Sequence, residues 1–352
     1  MTTANSTDTV KTIAIYGATG ITGGSLLTEL NRRGITPILV GRNADRMHAA
    51  AAAVGLPAAE VRVADLGEHD ALVAAFTGAD AVISSLPAYV DHGEAVLAAA
   101  IDAGAHYTDL SGEQLFLKRV FDDYAARAVR AGVTAVPGIT NSNLPGDLLG
   151  YLTSRRLTGP VEITMSLVGT KEGNGSKGSA QTVLAGLDWF RSGGWHFQDG
   201  GLQTGGTARR GEMTFPGATE PTIVSKFPQP PVLTIPRHSD VSYVEGVLET
   251  AFHSQLSGLS AEIVESLPNE PTPGLSYDFV VDAFGADGRA VRGVVSGPDS
   301  YVDSALMAVE AAVRLADGAA EAGVLTAAEA FDAEGFLDAL APFGITWTID
   351  ER

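Results

Sequence analysis

KTIAIYGATGITGGSLLTELNRR, residues 11–33, reads as a buried strand, a glycine turn and a helix. Ile13, Ala14, Ile15 and Tyr16 form an apolar run of strand length. Gly17, Gly20 and Gly23 follow as G-x-x-G-x-x-G, and Leu26, Leu27 and Leu30 then recur at helical spacing. A diphosphate needs a turn tight enough to bring backbone N–H groups against its oxygens, and a helix N-terminus whose dipole favours negative charge. Gly17 is suited to positive φ, Gly20 leaves room for phosphates, and Gly23 lets the helix press on the strand. Amides from Gly17 through Thr19, Gly20 and Ile21 are therefore expected to receive a pyrophosphate. A ligand-free glycine turn has the same letters, but the position between a strand and a helix near the start of the chain favours a dinucleotide.

Successive strand ends extend the expected site. After a second strand over 35–40 comes Gly41-Arg42-Asn43, where a free ribose 2′-hydroxyl usually meets an acid and a 2′-phosphate a cation. No acid stands there, so Arg42, with Asn43 as a neighbouring donor, points to NADP. A third strand over 60–64 ends at Asp65-Leu66, expected beside the adenine. A fourth over 79–85 runs into Pro87, which has no N–H for a ladder. Ser84, Ser85, Leu86 and Pro87 are expected to border the ribose and nicotinamide. Helices over 90–103 and 114–131 alternate with strands over 105–110 and 133–136. This alternation predicts an α/β fold, a Rossmann-like doubly wound parallel sheet.

Near Asn141 the texture changes. A helix over 144–155 and a strand over 161–168 precede a glycine and lysine loop, and 179–190 again reads as helical. Glycines, prolines and threonines over 192–237 predict short antiparallel strands, as does 261–265. Residues 277–284 and 290–296 read as a hairpin turning at 285–288. In the tail, Leu306, Val309 and Val313 demand a partner surface, Thr326 with Glu329 spells a capping box for a helix through Leu340, and 345–349 is a closing strand. The expected division is a dinucleotide-binding domain over 1–145, with 300–352 returning to it, and an inserted mixed α/β second domain over 146–299 for substrate or dimer contact.

A chain of 352 residues is long for one core, which agrees with two lobes. Its net charge of −19 opposes nucleic acid as a partner and leaves a small molecule as the expected substrate. A homodimer is compatible with the inserted domain. With no apolar run of membrane-spanning length and no leader, a cytoplasmic protein is expected. The absence of cysteine removes disulfides and thiolate chemistry. His92 and His106 lack companions at metal-ligand spacing, so no metal is expected.

The chain resembles the saccharopine dehydrogenase-like NADP-binding oxidoreductases, which include the trans-acting enoyl reductases. The resemblance rests on GATGITGG at 17–24, LVGRN at 39–43 and HGEAVLAAAIDAGAHYTDLSGE at 92–113. PGDLLG at 145–150, TIPRH at 234–238 and GPDSYVDSALMAVEAAVRLADG at 297–318 extend it. It implies NADP as cofactor and hydride transfer to a C=N or C=C bond. The chain departs at 138–147, where GITNSNLPGD replaces the G-F-D-S-V-P-S-D type of segment.

Several side chains are candidates for chemistry. Tyr107 and Asp109 share one face of the fifth strand, where Asp109 would hold a substrate amine or iminium and Tyr107 would donate a proton. The competing role for Asp109 is bonding to the Ser111-Gly112 turn. Glu113 is expected to cap the following helix. Asn141, Asn143 and the cation Lys171 are candidates for substrate contact, and Arg237 for gripping a carboxylate in a bidentate fork, with a surface salt bridge as its alternative. Trp189, Phe190, Trp195 and Phe197 would wall a pocket or fill core. The sequence reading favours an NADPH-dependent imine reductase; an enoyl reductase and a non-catalytic NADP sensor are its alternatives.

Overall fold

The computed structural model describes residues 11–169, 175–268 and 270–352. The polar stretch 1–9 and the candidate Lys171 lie outside the described residues. The first half of the chain runs β1 (Ile13–Tyr16), α1 (Ile21–Arg32), β2 (Ile38–Gly41), α2 (Ala44–Ala53), β3 (Glu60–Val63), α3 (His69–Phe76) and β4 (Ala81–Ser84). It continues through α4 (Tyr89–Asp102), β5 (His106–Asp109), α5 (Gln114–Asp123), α6 (Ala125–Ala131), β6 (Thr134–Val136) and α7 (Leu144–Ser154). Next come β7 (Val161–Gly169), α8 (Lys177–Ala185), α9 (Leu187–Ser192), β8 (Trp195–Gln198), β9 (Gly201–Thr204), β10 (Glu212–Met213), β11 (Thr222–Lys226) and α10 (Pro231–His238). The remainder is β12 (Val241–Glu249), α11 (Thr250–Ser257), α12 (Ala261–Ser266), β13 (Tyr277–Phe284), β14 (Ala290–Gly297), α13 (Ser300–Ala316), β15 (Gly323–Val324), α14 (Ala327–Ala330), α15 (Ala333–Leu340) and β16 (Thr346–Glu351).

Apolar runs such as Ile13-Ala14-Ile15-Tyr16 and Ala81-Val82-Ile83 are buried on both faces, which suits parallel strands covered by helices. They form a seven-stranded parallel sheet in the order β15-β6-β5-β4-β1-β2-β3. On one face Leu26, Leu27 and Leu30 of α1, Met47 of α2 and Leu306 and Val309 of α13 pack with Ile13 and Ile15. On the other, Phe76 of α3, Val96 of α4, Phe116 of α5 and Ala128 of α6 pack with Ala14, Val82 and Tyr107. This is the doubly wound architecture. Because β1 lies between β4 and β2, the strand order reverses there, and the crevice beyond their carboxyl ends is the ligand position of such sheets.

Among the described residues the second sheet has nine strands, with the path β10-β11-β12-β7-β13-β14-β16, β8 pairing with β12 and β9 with β8. Among the described residues only β7 and β12 of this sheet pair in parallel. Leu148, Leu149 and Leu152 of α7 share one apolar cluster with Ile163, Phe279 and Val281 of this sheet and with β1, so a continuous core joins the two lobes. The returning helix α13 finds the partner surface that Leu306, Val309 and Val313 required on α1 and β1, and Arg33 of the α1 C-cap locks it there through Glu310 at 2.7 Å. Among the described residues no helix is long and apolar enough to cross a membrane.

Local expectations fail where a turn or cap outweighs texture. Ile35 donates its N–H to Leu30 as part of the turn ending α1, so the second strand starts at Ile38. Residues 261–266 form a helix, not a strand, because the Ser260 hydroxyl accepts the Ile263 N–H as an N-cap. Residues 231–238, inside the stretch read as antiparallel strands, form α10, with Pro231 at its first position, where a missing N–H costs nothing. The expected 114–131 helix breaks at Tyr124. The helix over 179–190 breaks at Gly186. The Thr326–Glu329 capping box is present, yet its helix stops after Ala330 and Asp332 caps a new one. The closing strand pairs with β14 in the second sheet, so not all of 300–352 returns to the first lobe.

Candidate cofactor and substrate site

Gly17 has φ +94°, and a Cβ there would lie 2.0 Å from the Ser85 carbonyl oxygen. The loop leaving β4 crosses that close, so no larger residue fits. At Gly23 a Cβ would meet the Gly17 carbonyl at 2.4 Å, which fixes how tightly α1 sits on the turn. Gly20 donates to the Gly17 carbonyl at 3.2 Å and stands at the N-cap of α1. This end of α1 has no side-chain cap and no acid in its first turn, and Gly20 is exposed with nothing nearer than 3.6 Å to an added Cβ. Thr19 and Ile21 flank it, both half-buried. An uncapped helix N-terminus opening onto free space fits a pyrophosphate.

Toward the adenosine end, the Arg42 side chain is 76% exposed and its Nε stands 4.0 Å from the Asp65 carboxylate. It is thus close to a free cation. Asn43 uses its side-chain oxygen to cap α2 through the Arg46 N–H, which leaves its amide nitrogen as the donor. Asp65 accepts from the Gly67 N–H at 3.1 Å and holds the turn after β3, and Leu66 packs on the first-lobe core.

The loop after β4 is determined by its N–H groups. Ser85 donates to Tyr16 O at 2.9 Å, Leu86 to the Tyr89 hydroxyl at 3.1 Å, Ala88 to the Thr182 hydroxyl at 3.1 Å and Tyr89 to the Glu113 carboxylate at 2.9 Å. Pro87 has none to give. The Tyr89 hydroxyl also accepts from Leu110 N and donates to Ser84 O at 2.7 Å. Ser84 itself is fully buried. Ala88 takes a left-handed conformation at φ +51°, a strained choice for a residue with a Cβ.

The two residues singled out for chemistry are sealed. Asp109 and Tyr107 are both 0% exposed. One Asp109 oxygen accepts from Ser111 N at 2.9 Å, Ser111 Oγ at 2.6 Å and Gly138 N at 2.8 Å, which ties the loop after β5 to the loop after β6. Burial raises its carboxyl above the usual range and drives the Tyr107 phenol far up beside it. Neither side chain meets the cleft in this arrangement, and the turn-bonding alternative for Asp109 describes its geometry.

Other candidates are likewise engaged. Asn141 is bonded to Ser304 of α13 through its N–H and its side-chain oxygen, both at 3.1 Å. Asn143 donates to Gly138 O at 2.7 Å. Both are buried. Arg237 pairs with Glu329 at 3.2 Å and lies 4.6 Å over the Phe121 ring, so it forms the salt bridge and not a free fork. Glu113 does occupy the N-cap position of α5, but its carboxylate serves Tyr89 N at the start of α4 and Gly112 N.

Sequence reasoning missed Tyr89, Gln114 and Thr182. The Gln114 side-chain oxygen accepts from Trp195 N at 2.8 Å and Trp189 Nε1 at 3.3 Å, while its amide donates to Gln229 O at 2.9 Å. It therefore brings two indoles, 4.6 Å apart and edge to face, against the first lobe. Phe190 instead packs on Phe227, and Phe197 joins the second lobe's core. Only the placement of Gln114 directly after the Ser111-Gly112-Glu113 strand end hinted at this. Among the described residues no cluster of three histidines or acids stands ready for a metal.

Residues 13–136 match the family described as the saccharopine dehydrogenase NADP binding domain. A trans-acting enoyl reductase of Mycobacterium tuberculosis is 30% identical over 148 residues, which cover 41% of this chain and 35% of that protein. The lipid droplet localized protein of Caenorhabditis elegans is 26% identical over 189 residues, covering 50% of this chain and 44% of that one. The chain thus spans less than half the length of these curated relatives. The apo saccharopine dehydrogenase (L-Glu forming) of Saccharomyces cerevisiae superposes over 97% of this chain and 100% of its own with a TM-score of 0.65 at 13% identity, a likeness of fold. The lobe built on residues 13–136 is thus similar to the saccharopine dehydrogenase NADP binding domain, and the chain as a whole shares the fold of the yeast saccharopine dehydrogenase.

Proposed function

We propose that the chain is an NADPH-dependent reductase acting on the activated C=C bond of an apolar, enoyl-type substrate. The observation that carries this reading is the set of side chains the second lobe brings to the carboxyl edge of the first sheet. These are Thr182, Trp189 and Trp195, seated on Ala88 and Gln114. Nearby cations are committed elsewhere: Lys177 pairs with Glu265 at 3.0 Å, Arg191 donates to Ser257 O at 2.7 Å, and Arg237 pairs with Glu329. An amino-acid imine needs a cation for its carboxylate and an anion for its iminium. Among the described residues, Arg237 and Asp109 were the expected pair, and neither is available. The enoyl reading also agrees with the name of the mycobacterial relatives.

NADPH, when bound, supplies the hydride. The chain has to hold and orient it. The amides of the 17–21 turn take the pyrophosphate, Arg42 takes the 2′-phosphate, and Ser85 to Pro87 border the nicotinamide. The indoles of Trp189 and Trp195 exclude water from the reducible bond, and residues 146–299 supply the rest of the substrate's enclosure. The test is loss of nicotinamide absorbance when the purified protein is offered α,β-unsaturated thioesters and ketones of increasing chain length, with cyclic and amino-acid imines in parallel. Turnover of imines alone would overturn the enoyl assignment, and tight NADPH binding without turnover of either set would favour a sensor.

A further inference from the structure

The segment from Ser85 to Tyr89 owes its shape to two side chains that lie outside it. Of its four N–H groups, two are satisfied close by, Ser85 on the neighbouring strand and Leu86 on the Tyr89 hydroxyl. The other two reach out. Tyr89 N is held by the Glu113 carboxylate at 2.9 Å and Ala88 N by the Thr182 hydroxyl at 3.1 Å. Ala88 is the N-cap of α4, yet it has no side-chain oxygen to offer, so the first turn of this 14-residue helix is capped from a different element. A carboxylate at that position also faces the positive end of the helix dipole.

Glu113 is 5% exposed and the second oxygen of its carboxylate accepts Gly112 N at 2.8 Å, so both oxygens are committed and the side chain cannot swing away cheaply. Thr182 belongs to α8, a helix with no fully buried residue. That helix is fastened at its start by the Tyr301 hydroxyl, which accepts Ser176 N at 2.6 Å and shares a bond with Ser179 Oγ at 3.1 Å. The bond from Ala88 to Thr182 therefore connects the first-lobe loop to a lightly packed helix of the second lobe.

We propose that Glu113 and Thr182 are positioning residues for the nicotinamide half of the cofactor, holding Ser85 to Ala88 in place from two sides, one within each lobe. This rests on the reading that the loop borders the nicotinamide. It follows that the two halves of NADPH depend on different parts of the chain: the adenosine half on the glycine turn and Arg42, the nicotinamide half on these two bonds as well. Seating of α8 and placement of the nicotinamide are then coupled, because a single N–H joins them.

The experiment compares dissociation constants of NADPH with those of 2′,5′-ADP, which carries the phosphate-bearing half alone, by titration calorimetry. Measured well above pH 7, where the buried Glu113 carboxyl is ionised, Glu113→Gln replaces one accepting oxygen by a donor facing an N–H and should weaken NADPH about tenfold, in the range for a bond to a charged group. Thr182→Val should weaken it about threefold, as for a neutral bond, and Thr182→Ser should restore it. Binding of 2′,5′-ADP should change by less than about twofold in every variant, a result that general unfolding would not produce. Equal loss of both ligands, or no loss of NADPH, overturns the proposal. If the wild-type protein binds 2′,5′-ADP but gains nothing from the nicotinamide half, the loop assignment itself falls.

Discussion

Replacing Arg42 by Ala is the perturbation that isolates cofactor choice. The guanidinium is 76% exposed, and the nearby Asp65 carboxylate stands 4.0 Å off, half-exposed itself. An exposed pair at that spacing contributes about 0–1 kcal/mol, so the variant should fold with an unchanged melting temperature. Its effect on binding is larger. A charge-assisted bond to a phosphate is worth about 1.5–3 kcal/mol, and each 1.4 kcal/mol is about tenfold in affinity. Removing Arg42 also leaves Asp65 facing the 2′-phosphate with no cation between. NADPH should weaken by about ten- to a hundredfold while NADH changes by less than about threefold. The loss should shrink at high salt, since the site is open to solvent. Asp65→Asn keeps the oxygen that receives Gly67 N and drops the charge, so it should tighten NADPH. The assay is a fluorescence titration of both reduced nucleotides. Equal loss of both would refute the argument, because the guanidinium would then be supporting the adenine or the fold.

Other expectations are independent of cofactor choice. Gly17→Ala forces a Cβ to 2.0 Å from Ser85 O at φ +94°, so it should cost more than about 3 kcal/mol in urea unfolding and abolish nucleotide binding. Asp282 and Arg292 form a buried bidentate pair with contacts at 2.5 and 2.6 Å, and Asp282→Ala alone should destabilise by about 3–5 kcal/mol. Replacing both by apolar residues should recover most of that, read as a return of the urea midpoint. Burial lifts the carboxyls of Glu113 and Asp303 to about 7 from their ordinary 4.5 and 3.8. The folded state thus binds protons that the unfolded chain releases, so their contribution to stability is full at acid pH and is lost as pH rises from about 4 to about 7. Asp303→Asn should flatten that decline in pH-dependent unfolding; an unchanged slope would contradict the assignment.

The parallel lobe was legible because strands such as β1, β2, β4 and β6 are short apolar runs ending in a glycine, proline or polar break, a pattern that survives without tertiary information; the two-residue β15 carries no such signal and was not read. The second lobe was not, since its chain direction is set by caps and pairings between distant segments. Ser260 turns 261–266 into a helix with one hydroxyl. Pro231 opens α10 within a stretch whose glycines and prolines suggest strands. The closing strand looks the same whichever sheet receives it, and only the register of Trp347 on Val295 assigns it to the second.

The site divides in the same way. Gly17, Gly20, Arg42 and the Ser84–Pro87 loop lie at strand ends of one sheet, so the parallel topology alone collects them. Asp109 and Tyr107 share that address, yet the strand buries them and spends the carboxylate on Ser111 and Gly138. Chemical type at a strand end therefore identifies what lies near a ligand without saying which groups face it. Groups that do reach across, Gln114 and Thr182, carry no charge and sit in no motif. Their role comes from a bond to a residue 81 or 94 positions away. A neutral amide and a hydroxyl join the lobes without adding charge to the junction, which is compatible with the apolar substrate proposed for it.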